Sequence, residues 1–466
     1  MAEPLWTSEE ILAAVGGELH GRPFAASGVT FDSREVEPGD LFVALKGERD
    51  GHDFAPMAFE RGAAGALTSR CVPGSHVQVA DTLPALEALG AAARERCPAR
   101  RAAVTGSVGK TSVTQAVKAG LELAGRAHGS VKSYNNHIGV PLTLARMPRD
   151  TERAVFEIGM NHPGEIAPLS RMVRPHVAAI TTVGAVHTEF FEDGERGVMR
   201  EKAEVFAGLE PGGAAVLNAD SPWFSDLRAL AETAGARVLS FGSAEDCDAH
   251  LLSFQTSGSP NEGAGVRAVI GGEEIEFALL QTGVHWGLTS LCVLLVLHEL
   301  DVSLETGVRA LSGFAPLQGR GLITIVNAPA GAFTLIDDSY NANPVSMRAA
   351  IATLAQRQPS GRRVAVVTDM LELGPSAQSD HARLSNALDD SGIDLVFAAG
   401  PLMAHLHEAL PPSRRGGYAP SAAELAPLVT ASVQAGDVVL VKGSNGSRAR
   451  DIAAALRGLD APEGEG

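Results

Sequence analysis

Residues 104–113 read VTGSVGKTSV, a short apolar run that passes into a glycine-bracketed turn ending in Gly-Lys-Thr. Apolar residues follow at helical spacing, so the turn joins a predicted strand to a predicted helix. Backbone N–H groups at the start of that helix would face an anion, while Lys110 adds a positive charge and the Thr111 hydroxyl can bind magnesium. The stretch therefore predicts a phosphate-binding loop made of Gly106, Ser107, Val108, Gly109, Lys110 and Thr111.

The length and composition are typical of a multidomain globular protein. The chain has 466 residues, of which 45% are hydrophobic and 20% charged. A length of this size suggests about three domains. The formal net charge of −17 argues against binding to nucleic acid or to an anionic membrane surface. We therefore expect a protein without a nucleic-acid partner.

The cysteines and the N-terminus indicate the compartment. The 4 cysteines lie far apart, at spacings that suit neither a zinc site nor a small disulfide framework, so free thiols in a reducing compartment are expected. The stretch MAEPLWTSEEIL carries acids where a signal peptide needs bases, and no apolar run reaches the roughly 18 residues that cross a bilayer. These features predict a cytoplasmic protein without stable membrane insertion.

Apolar runs alternate with helical patterns through most of the chain. From residue 102 onward, the runs AAV, AVFEIG, VAAITTV and AAVLN are typical of a parallel sheet covered on both faces. The alternating pattern within residues 248–280 predicts a hairpin or a β-rich addition. A helix is expected around 286–299, and the runs RRVAVVTDM, DLVFAAG and DVVLVKGS predict a second parallel sheet.

These patterns predict an α/β fold of three domains. A small N-terminal α/β domain takes residues 1–82, a central parallel-sheet domain takes 83–315, and a C-terminal α/β domain takes 316–466. The segment SGFAPLQGR at the second border is interpreted as a hinge. We expect a helix within 84–96 to open the central domain, since Pro98 follows it.

Three polar residues near the predicted central strands have more than one interpretation. Glu157 ends an apolar run at the sheet edge where ligands collect, so it could hold a metal ion or cap the next helix. His187 follows another strand end and could be a metal ligand or a structural hydrogen-bonding residue. Lys202, within REKAEVF, has the pattern of an ordinary solvated helix lysine.

The stretch IDDSYNANP at 336–344 places two acids, a tyrosine and two amides in a turn before a helix that Pro344 can start. Such a loop suits ribose, adenine or magnesium-bound phosphate, and Arg320 at the hinge could bind a triphosphate with both arms of its guanidinium. An ordinary asparagine-rich turn is the alternative. The loops at 367–374 and 441–448 are candidates for contact with a second substrate.

A series of stretches in this order resembles the motifs of the Mur ligases of peptidoglycan synthesis, over essentially the whole chain. They are FDSREVEPGDLFVALKGERDGHDF, TGSVGKTS, SYNNHIGVPLTL, FEIGMNHPGEI, IDDSYNANPVSM, DMLELG and KGS. The resemblance is strongest to those members that join D-alanyl-D-alanine to UDP-N-acetylmuramoyl-tripeptide with ATP, through an acyl phosphate. It implies an N-terminal domain for the UDP-sugar, a central P-loop ATPase domain and a mobile C-terminal domain of dinucleotide-fold type that binds ATP and D-alanyl-D-alanine.

The resemblance also implies cofactors and site residues, in a monomer of the bacterial cytoplasm. ATP and two Mg²⁺ ions are expected, with one ion at Thr111 and Glu157 and the other at His187 and a carbamylated Lys202. Lys110 joins Glu157, His187 and Lys202 in the catalytic set, and the phosphate loop extends to Ser112. The implied UDP-sugar, substrate and phosphate contacts are Ser33, Arg34, Asn135 and Asn136. The implied ATP contacts of the C-terminal domain are Arg320, Asp338, Tyr340, Asn341 and Asn343.

Other functions are weighed against this one. A sister ligase would add a diamino acid to the UDP-sugar dipeptide, and a more distant one would add glutamate to folate. DDSYNANP argues against the first, and the N-terminal domain of UDP-sugar type argues against the second. A nucleotide-dependent switch without catalysis is a further alternative, which the full set of Lys110, Thr111, Glu157 and His187 argues against. The stretch TGVHWGLTS departs from the family pattern, since Trp286 and Thr289 follow where an asparagine usually reaches the adenine.

Overall fold

The computed structural model describes residues 3–131, 133–186, 188–256 and 263–460. Within these ranges the strands form a 5-stranded, a 9-stranded and a 6-stranded sheet in chain order, and a 2-stranded ribbon forms near the N-terminus. Separate clusters of buried apolar residues accompany each large sheet. This arrangement confirms the predicted α/β fold. No helix within the same ranges is long and apolar enough to cross a membrane.

The first region surrounds the 5-stranded sheet, whose order is β2-β7-β6-β5-β4. β2 is antiparallel to β7, and the other neighbours are parallel. α1 begins at a capping box in which Thr7 and Glu10 each bond to the other's backbone. The elements are β1 (Trp6–Thr7), α1 (Ser8–Val15), β2 (Glu18–His20), β3 (Ala25–Ala26), β4 (Gly28–Thr30), β5 (Asp40–Val43), α2 (Ala55–Glu60), β6 (Gly65–Thr68) and β7 (His76–Gln78).

The next helix, α3 (Thr82–Glu95), confirms the helix predicted within 84–96. Its buried Leu86 and Leu89 belong to one apolar cluster with Ile11 of the first region and Leu142, which lies farther along the chain. The helix therefore packs on both sides of the expected border. The border between residues 82 and 83 stays a prediction.

The central region surrounds the 9-stranded sheet, whose order is β16-β15-β14-β13-β12-β11-β8-β10-β9. Neighbours from β9 to β14 are parallel, whereas β14, β15 and β16 pair antiparallel. The elements are β8 (Arg100–Thr105), α4 (Lys110–Ala124), β9 (Ala127–Gly129), α5 (Gly139–Ala145), β10 (Arg153–Glu157), α6 (Ile166–Val173), β11 (Val177–Ile180), α7 (Glu195–Ala203), β12 (Ala214–Asn218), α8 (Phe224–Thr233), β13 (Arg237–Gly242), β14 (Ala249–Thr256), β15 (Ala264–Ile270), β16 (Glu273–Leu279), α9 (Trp286–Glu299) and α10 (Leu304–Gly313).

Helices cover both faces of the parallel part of this sheet. On one face α4, α9 and α10 pack around Val104 and Val155, and on the other α5 to α8 pack around Ala103 and Phe156. Neighbouring residues of β8 and β10 thus face opposite layers, as the pleat of a strand requires. The covered parallel sheet, the β-rich addition and the helix at 286–299 are all confirmed.

The third region surrounds the 6-stranded sheet, whose order is β17-β18-β22-β19-β20-β21. The elements are β17 (Leu322–Ala328), β18 (Gly331–Asp338), α11 (Pro344–Ala355), β19 (Arg363–Thr368), α12 (Ala377–Asp390), β20 (Leu395–Ala399), α13 (Met403–Ala409), β21 (Arg415–Ala419), α14 (Ala422–Ser432), β22 (Val438–Lys442) and α15 (Ala449–Arg457).

The predicted parallel pairing of the third sheet is confirmed for β19, β20 and β22, whereas one edge of the sheet is antiparallel. β17 and β18 form an antiparallel hairpin, in which Ala328 pairs with Gly331. Gly331 has a φ of 107°, a left-handed value that favours glycine, so the chain can reverse within two residues. The remaining neighbours are parallel.

Candidate active site

The phosphate loop lies between β8 and α4, the context that the sequence predicted. Gly109 has a left-handed φ of 88°. A Cβ at Gly106 would come 2.0 Å from Oγ1 of Thr181, so this position has no room for a side chain. Lys110 Nζ donates to the carbonyl of Gly106 at 2.8 Å, and the Ser107 N–H donates to the carbonyl of Thr182 at 2.8 Å. The loop is thus braced against the chain that follows β11.

Glu157 ends β10 beside this loop and is only 1% exposed. Its Oε2 accepts a hydrogen bond from Thr111 Oγ1 at 2.7 Å, and its Oε1 accepts one from Asn135 Nδ2 at 2.7 Å. The Glu157 N–H donates to Ser130 Oγ at 3.0 Å. These bonds fix the carboxylate so that it faces the first turn of α4. These contacts do not support the alternative role of Glu157 as a cap of the next helix.

Two buried lysines of the central region, Lys110 and Lys202, lie in surroundings that disfavour their charge. Burial lowers the pKa of Lys110, Arg320 lowers it further, and the Glu157 carboxylate opposes the change. Lys202, on α7, is 2% exposed, and burial together with Lys110 holds its pKa well below the ordinary value. The pattern of an ordinary solvated lysine was therefore misleading for Lys202, because the fold buries that side of α7.

The residue before Lys202 holds α7 in place. Both carboxylate oxygens of Glu201 accept backbone N–H groups at the start of α6, from Gly164 at 2.9 Å and from Ile166 at 3.1 Å. The negative charge of Glu201 thus meets the positive end of a helix. The loop that follows Glu157 is thereby tied to the helix that carries Lys202. His187 lies outside the described residues.

The third region faces the loop with the IDDSYNANP stretch. Asp338 accepts an ion-paired hydrogen bond from Lys442 Nζ at 2.7 Å, and the same ammonium donates to the carbonyl of Asn341 at 3.0 Å. Asn343 caps α11 by accepting from the N–H of Ser346 at 2.9 Å, and Pro344 starts that helix as predicted. Part of this stretch therefore holds its own turn and helix together.

Arg320 connects the two sides. Its Nη2 donates to Ser133 Oγ at 3.1 Å, and its guanidinium lies 4.1 Å from the ring centre of Tyr340. Ser133 Oγ is also 3.3 Å from Thr111 Oγ1. A chain of contacts therefore runs from the third region to the phosphate loop, with Ser133 in the middle.

A cavity of about 580 Å³ lies between the central and third regions. It brings together most of the predicted nucleotide residues, namely Ser107, Val108, Gly109, Lys110, Thr111, Ser112, Asn135, Glu157, Arg320, Asp338, Tyr340, Asn341 and Asn343. At its other end lie Gln281, Thr282, His285, Trp286 and Thr289. Burial lowers the pKa of His285, so its imidazole is held in the neutral form.

Four predicted residues are placed elsewhere. Ser33 and Arg34 belong to the first region, where Arg34 donates to both carboxylate oxygens of Asp32. Asn136 Oδ1 accepts from the N–H groups of Ile138 and Gly139 at 3.2 and 2.9 Å, which caps the start of α5. Lys202 is buried on α7 and is not among the residues that line the cavity. The roles predicted for these residues stay predictions.

Sequence reasoning missed several residues that shape the cavity. Ser133 lies inside the quoted stretch SYNNHIGVPLTL, but its position gave no sign of the contact with Arg320. Lys442 lies in KGS, which was noted only as a polar loop, yet it is buried and pairs with Asp338. Thr282 and Arg357 are 75 residues apart and meet only in the fold. A pattern of neighbouring residues carries no signal for such long-range pairs.

Comparison with protein families places three matches along the chain. The family described as Mur ligase family, catalytic domain, matches residues 25–128. The Mur ligase middle domain matches 104–297, and the Mur ligase, glutamate ligase domain, matches 323–445. Together these matches extend through all three sheets.

Several named proteins are similar to this chain over nearly its full length. A curated relative from Rickettsia prowazekii, a UDP-N-acetylmuramoyl-tripeptide--D-alanyl-D-alanine ligase, is 31% identical over 448 residues, covering 95% of this chain and 97% of the relative. The crystal structure of MurF from Acinetobacter baumannii is 29% identical with a TM-score of 0.84 and covers 98% of this chain and 99% of its own. MurF from Thermotoga maritima in complex with ADP is 25% identical with a TM-score of 0.77, covering 93% and 97%.

Proposed function

The chain belongs to the Mur ligase family, and we propose that it joins D-alanyl-D-alanine to UDP-N-acetylmuramoyl-tripeptide at the expense of ATP. The observation that carries this function is the cavity that has the phosphate loop on one wall and the loop of Asp338 to Asn343 on the other. The sister reaction, addition of a diamino acid to the dipeptide, is not favoured, because the full-length relatives carry the D-alanyl-D-alanine name. The monomeric state and the compartment stay predictions.

The phosphate loop accounts for the use of ATP. The N–H groups at the start of α4 and the Lys110 ammonium would present positive charge to phosphate oxygens. The MurF relative solved with ADP supports the use of a nucleotide. Arg320 reaches toward the same point from the hinge through its bond to Ser133. These groups offset the charge of the triphosphate and of an attacking carboxylate.

The oxygen atoms beside the loop fit a magnesium ion. Thr111 Oγ1 and Glu157 Oε2 lie 2.7 Å apart, so two hard oxygen donors converge at one point. The described residues contain no group of three or more His, Cys, Asp or Glu side chains placed to hold a metal. Thr111 and Glu157 therefore suit an ion that takes its other ligands from phosphate and water, as magnesium does. Bound there, the ion would neutralise charge that develops on the phosphates.

Lys202 suits the carbamate that we predict for it. An ammonium in this buried place lies near Lys110, which is electrostatically unfavourable, whereas an anionic carbamate there would be attracted to the same lysine. The carbamate and His187 as ligands of a second magnesium ion remain part of the proposal. If Lys202→Ala left turnover unchanged with and without added bicarbonate, the carbamate would have no role.

The reaction needs an activated acid, because a carboxylate is a poor electrophile. In the proposed sequence the terminal carboxylate of the tripeptide attacks the γ-phosphorus of ATP, which gives an acyl phosphate and ADP. The neutral amine of D-alanyl-D-alanine then adds to the acyl carbon, its nitrogen gives up one proton to solvent, and phosphate leaves with its bonding electron pair. Contact between the third and central regions keeps water away from the acyl phosphate, which it would otherwise hydrolyse.

The test is the dependence of phosphate release on both substrates. We expect release that rises at least tenfold when UDP-N-acetylmuramoyl-tripeptide and D-alanyl-D-alanine are both present, with one amide bond formed per phosphate. The proposal is refuted if phosphate release does not depend on D-alanyl-D-alanine. It is also refuted if phosphate release rises instead with a free diamino acid and the UDP-dipeptide.

A further inference from the structure

A buried arginine lies where the third region touches the central region. Arg357 follows α11 and is 4% exposed. Its Nη2 donates to Oγ1 of Thr282, which lies between β16 and α9. The bond therefore joins two regions that the family resemblance predicts to move relative to each other.

The surroundings of this arginine are unusual for a charged group. Burial alone accounts for the lowered pKa of Arg357, and among the described residues no carboxylate pairs with it. Its Nη1 is buried without a hydrogen-bond partner within the same residues. Burying a cation without a counter-charge is costly, so a contact of this kind needs an explanation beyond simple packing.

Gln281, the residue before Thr282, connects the contact between Arg357 and Thr282 to the hinge. Gln281 is 3% exposed, and its Nε2 donates to the carbonyl of Phe314 at 2.6 Å. Phe314 directly follows α10, where the chain leaves the central region. The Gln281 Oε1 is a buried acceptor without a partner among the described residues. Gln281 and Thr282 therefore contact the hinge, the third region and the wall of the cavity.

We propose that Arg357, Thr282 and Gln281 form a latch that holds the third region closed over the nucleotide during amide formation. Arg357 acts in it as a positioning residue. The inference rests on the proposed ligase function, because only a reaction with a water-sensitive intermediate requires timed closure. We refer to these three residues as the latch.

The choice of partner gives the latch its reversibility. A carboxylate opposite Arg357 would form a buried ion pair, and the attraction between its two charges in the low-dielectric interior would oppose opening. A hydroxyl gives a weaker hold, so hydration of the guanidinium favours opening once the ligands in the cavity have left. Ligand contacts in the closed cavity offset the desolvation of Arg357, which shifts the equilibrium toward closure only when the site is filled.

Four variants and one control test this inference. Arg357→Met removes the charge at similar length, Thr282→Val removes the hydroxyl at similar shape, and Thr282→Ser keeps the hydroxyl. The double variant with Met and Val places two apolar side chains together. Arg383→Ala is the control. This arginine is exposed on the third region, and its Nη1 lies 3.6 Å from Asp380 Oδ1.

Two measurements apply to each full-length variant. Small-angle X-ray scattering, with and without a non-hydrolysable ATP analogue, reports closure without any need for catalysis. Phosphate released per amide bond formed reports leakage of the acyl phosphate to water. Loss of one charge-assisted bond shifts the closed-to-open ratio by roughly 10- to 100-fold.

We expect Arg357→Met and Thr282→Val to lose compaction with the analogue and to raise the phosphate-to-amide ratio several-fold. Thr282→Ser and Arg383→Ala should match the wild type, and the double variant should recover part of the compaction, since it buries neither the Arg357 charge nor the Thr282 hydroxyl without a partner. The latch is overturned if both single variants show the compaction and the phosphate-to-amide ratio of the wild type. It is also overturned if the Thr282→Ser and Thr282→Val variants behave alike, or if the effects in the double variant are additive. If the wild type itself forms no amide bond, the proposed function fails, while the scattering comparison still decides the latch.

Discussion

The two walls of the cavity are built in different ways. On the central wall, Glu157 at the end of β10 is fixed by Thr111 in the first turn of α4 and by Asn135 in the loop between β9 and α5. On the wall of the third region, Asp338 and Asn343 already serve the structure of their own domain, one in an ion pair and the other as a helix cap. The central wall is preorganised for charge, whereas the other wall is assembled by contact across a hinge.

This difference teaches how the work of the site is divided. Groups held in place before the ligand arrives lose little freedom on binding, so the central wall should dominate nucleotide affinity and phosphoryl transfer. The third region should affect mainly the later step, in which closure protects the intermediate. The two kinetic predictions below test this division, and the two stability predictions test contacts within the central region and within the third region.

The largest effect is expected on the central wall. Lys110→Ala removes the ammonium that we propose binds the phosphates, so kcat/KM should fall by about 10²- to 10³-fold. Lys118→Ala is the matched control, because this lysine lies on the same helix and pairs with Glu122. Substrate-dependent phosphate release measures both. Normal activity of the Lys110 variant would remove the loop from the mechanism.

A smaller effect is expected at the hinge. Arg320→Ala loses the bond to Ser133 and the contact with Tyr340, so kcat should fall by about 10- to 100-fold while the Kd for ATP changes less. Arg320→Lys should recover only part of the rate, since a lysine keeps the charge but loses the planar fork. Steady-state kinetics and nucleotide titration separate the two quantities. A loss confined to ATP affinity would contradict the division between the walls.

Acid should weaken the central region through one histidine. His128 on β9 bonds through Nε2 to the carbonyl of Thr143 at 2.7 Å, and burial lowers its pKa to about 4. Because the folded state keeps this imidazole neutral, its contribution is complete above an ordinary pKa of about 6.5 and is lost as the pH falls toward 4.

Between pH 7 and pH 5 this linkage should cost about 2 kcal/mol of unfolding free energy. Denaturant unfolding of the wild type and of His128→Gln at both pH values measures it. The variant should lose less stability than the wild type on acidification. An equal loss in both proteins would mean that another group carries the acid sensitivity.

The smallest effect is expected for the cap of α11. Asn343→Ala removes the acceptor for the Ser346 N–H and should lower the unfolding free energy of the third region by about 1 kcal/mol. Asn343→Ser keeps a capping oxygen and should lose much less. Thermal unfolding compares the two. If both variants are as stable as the wild type, the Asn343 side chain does not stabilise α11. That result would favour the role as an ATP contact that the family resemblance implies.

The sequence predicted the central wall well, because its determinants are local. The phosphate loop needs only a strand, a glycine-bracketed turn and a helix in succession, and Glu157 was found from its position at a strand end. Strand ends of a parallel sheet meet at one edge, so the meeting of Glu157 with Thr111 followed from the predicted sheet. The covered central sheet and its antiparallel addition followed from the same periodicity.

The wall of the third region was harder to predict, because its contacts are not local. The β17–β18 hairpin was missed because no strand was predicted at residues 322–328, and the turn that closes the hairpin lacks the Asn-Gly or Asp-Gly pair that marks a two-residue hairpin loop. The burial of Lys202 depends on the packing of α7, and the bond between Arg357 and Thr282 depends on the docking of two domains. No pattern along the chain encodes such docking.

The antiparallel addition to the central sheet affects how the protein behaves at high concentration. β16 is the last strand of that sheet among the described residues, so one side of its backbone has no neighbouring strand, although Ser312 Oγ donates to the carbonyl of Ala278 at 2.8 Å. Glu273, Glu274 and Glu276 are exposed on this strand. An approaching copy would meet the same acidic strand, and repulsion between like charges opposes edge-to-edge aggregation. Colloidal stability is thus provided by a strand that takes no part in the cavity.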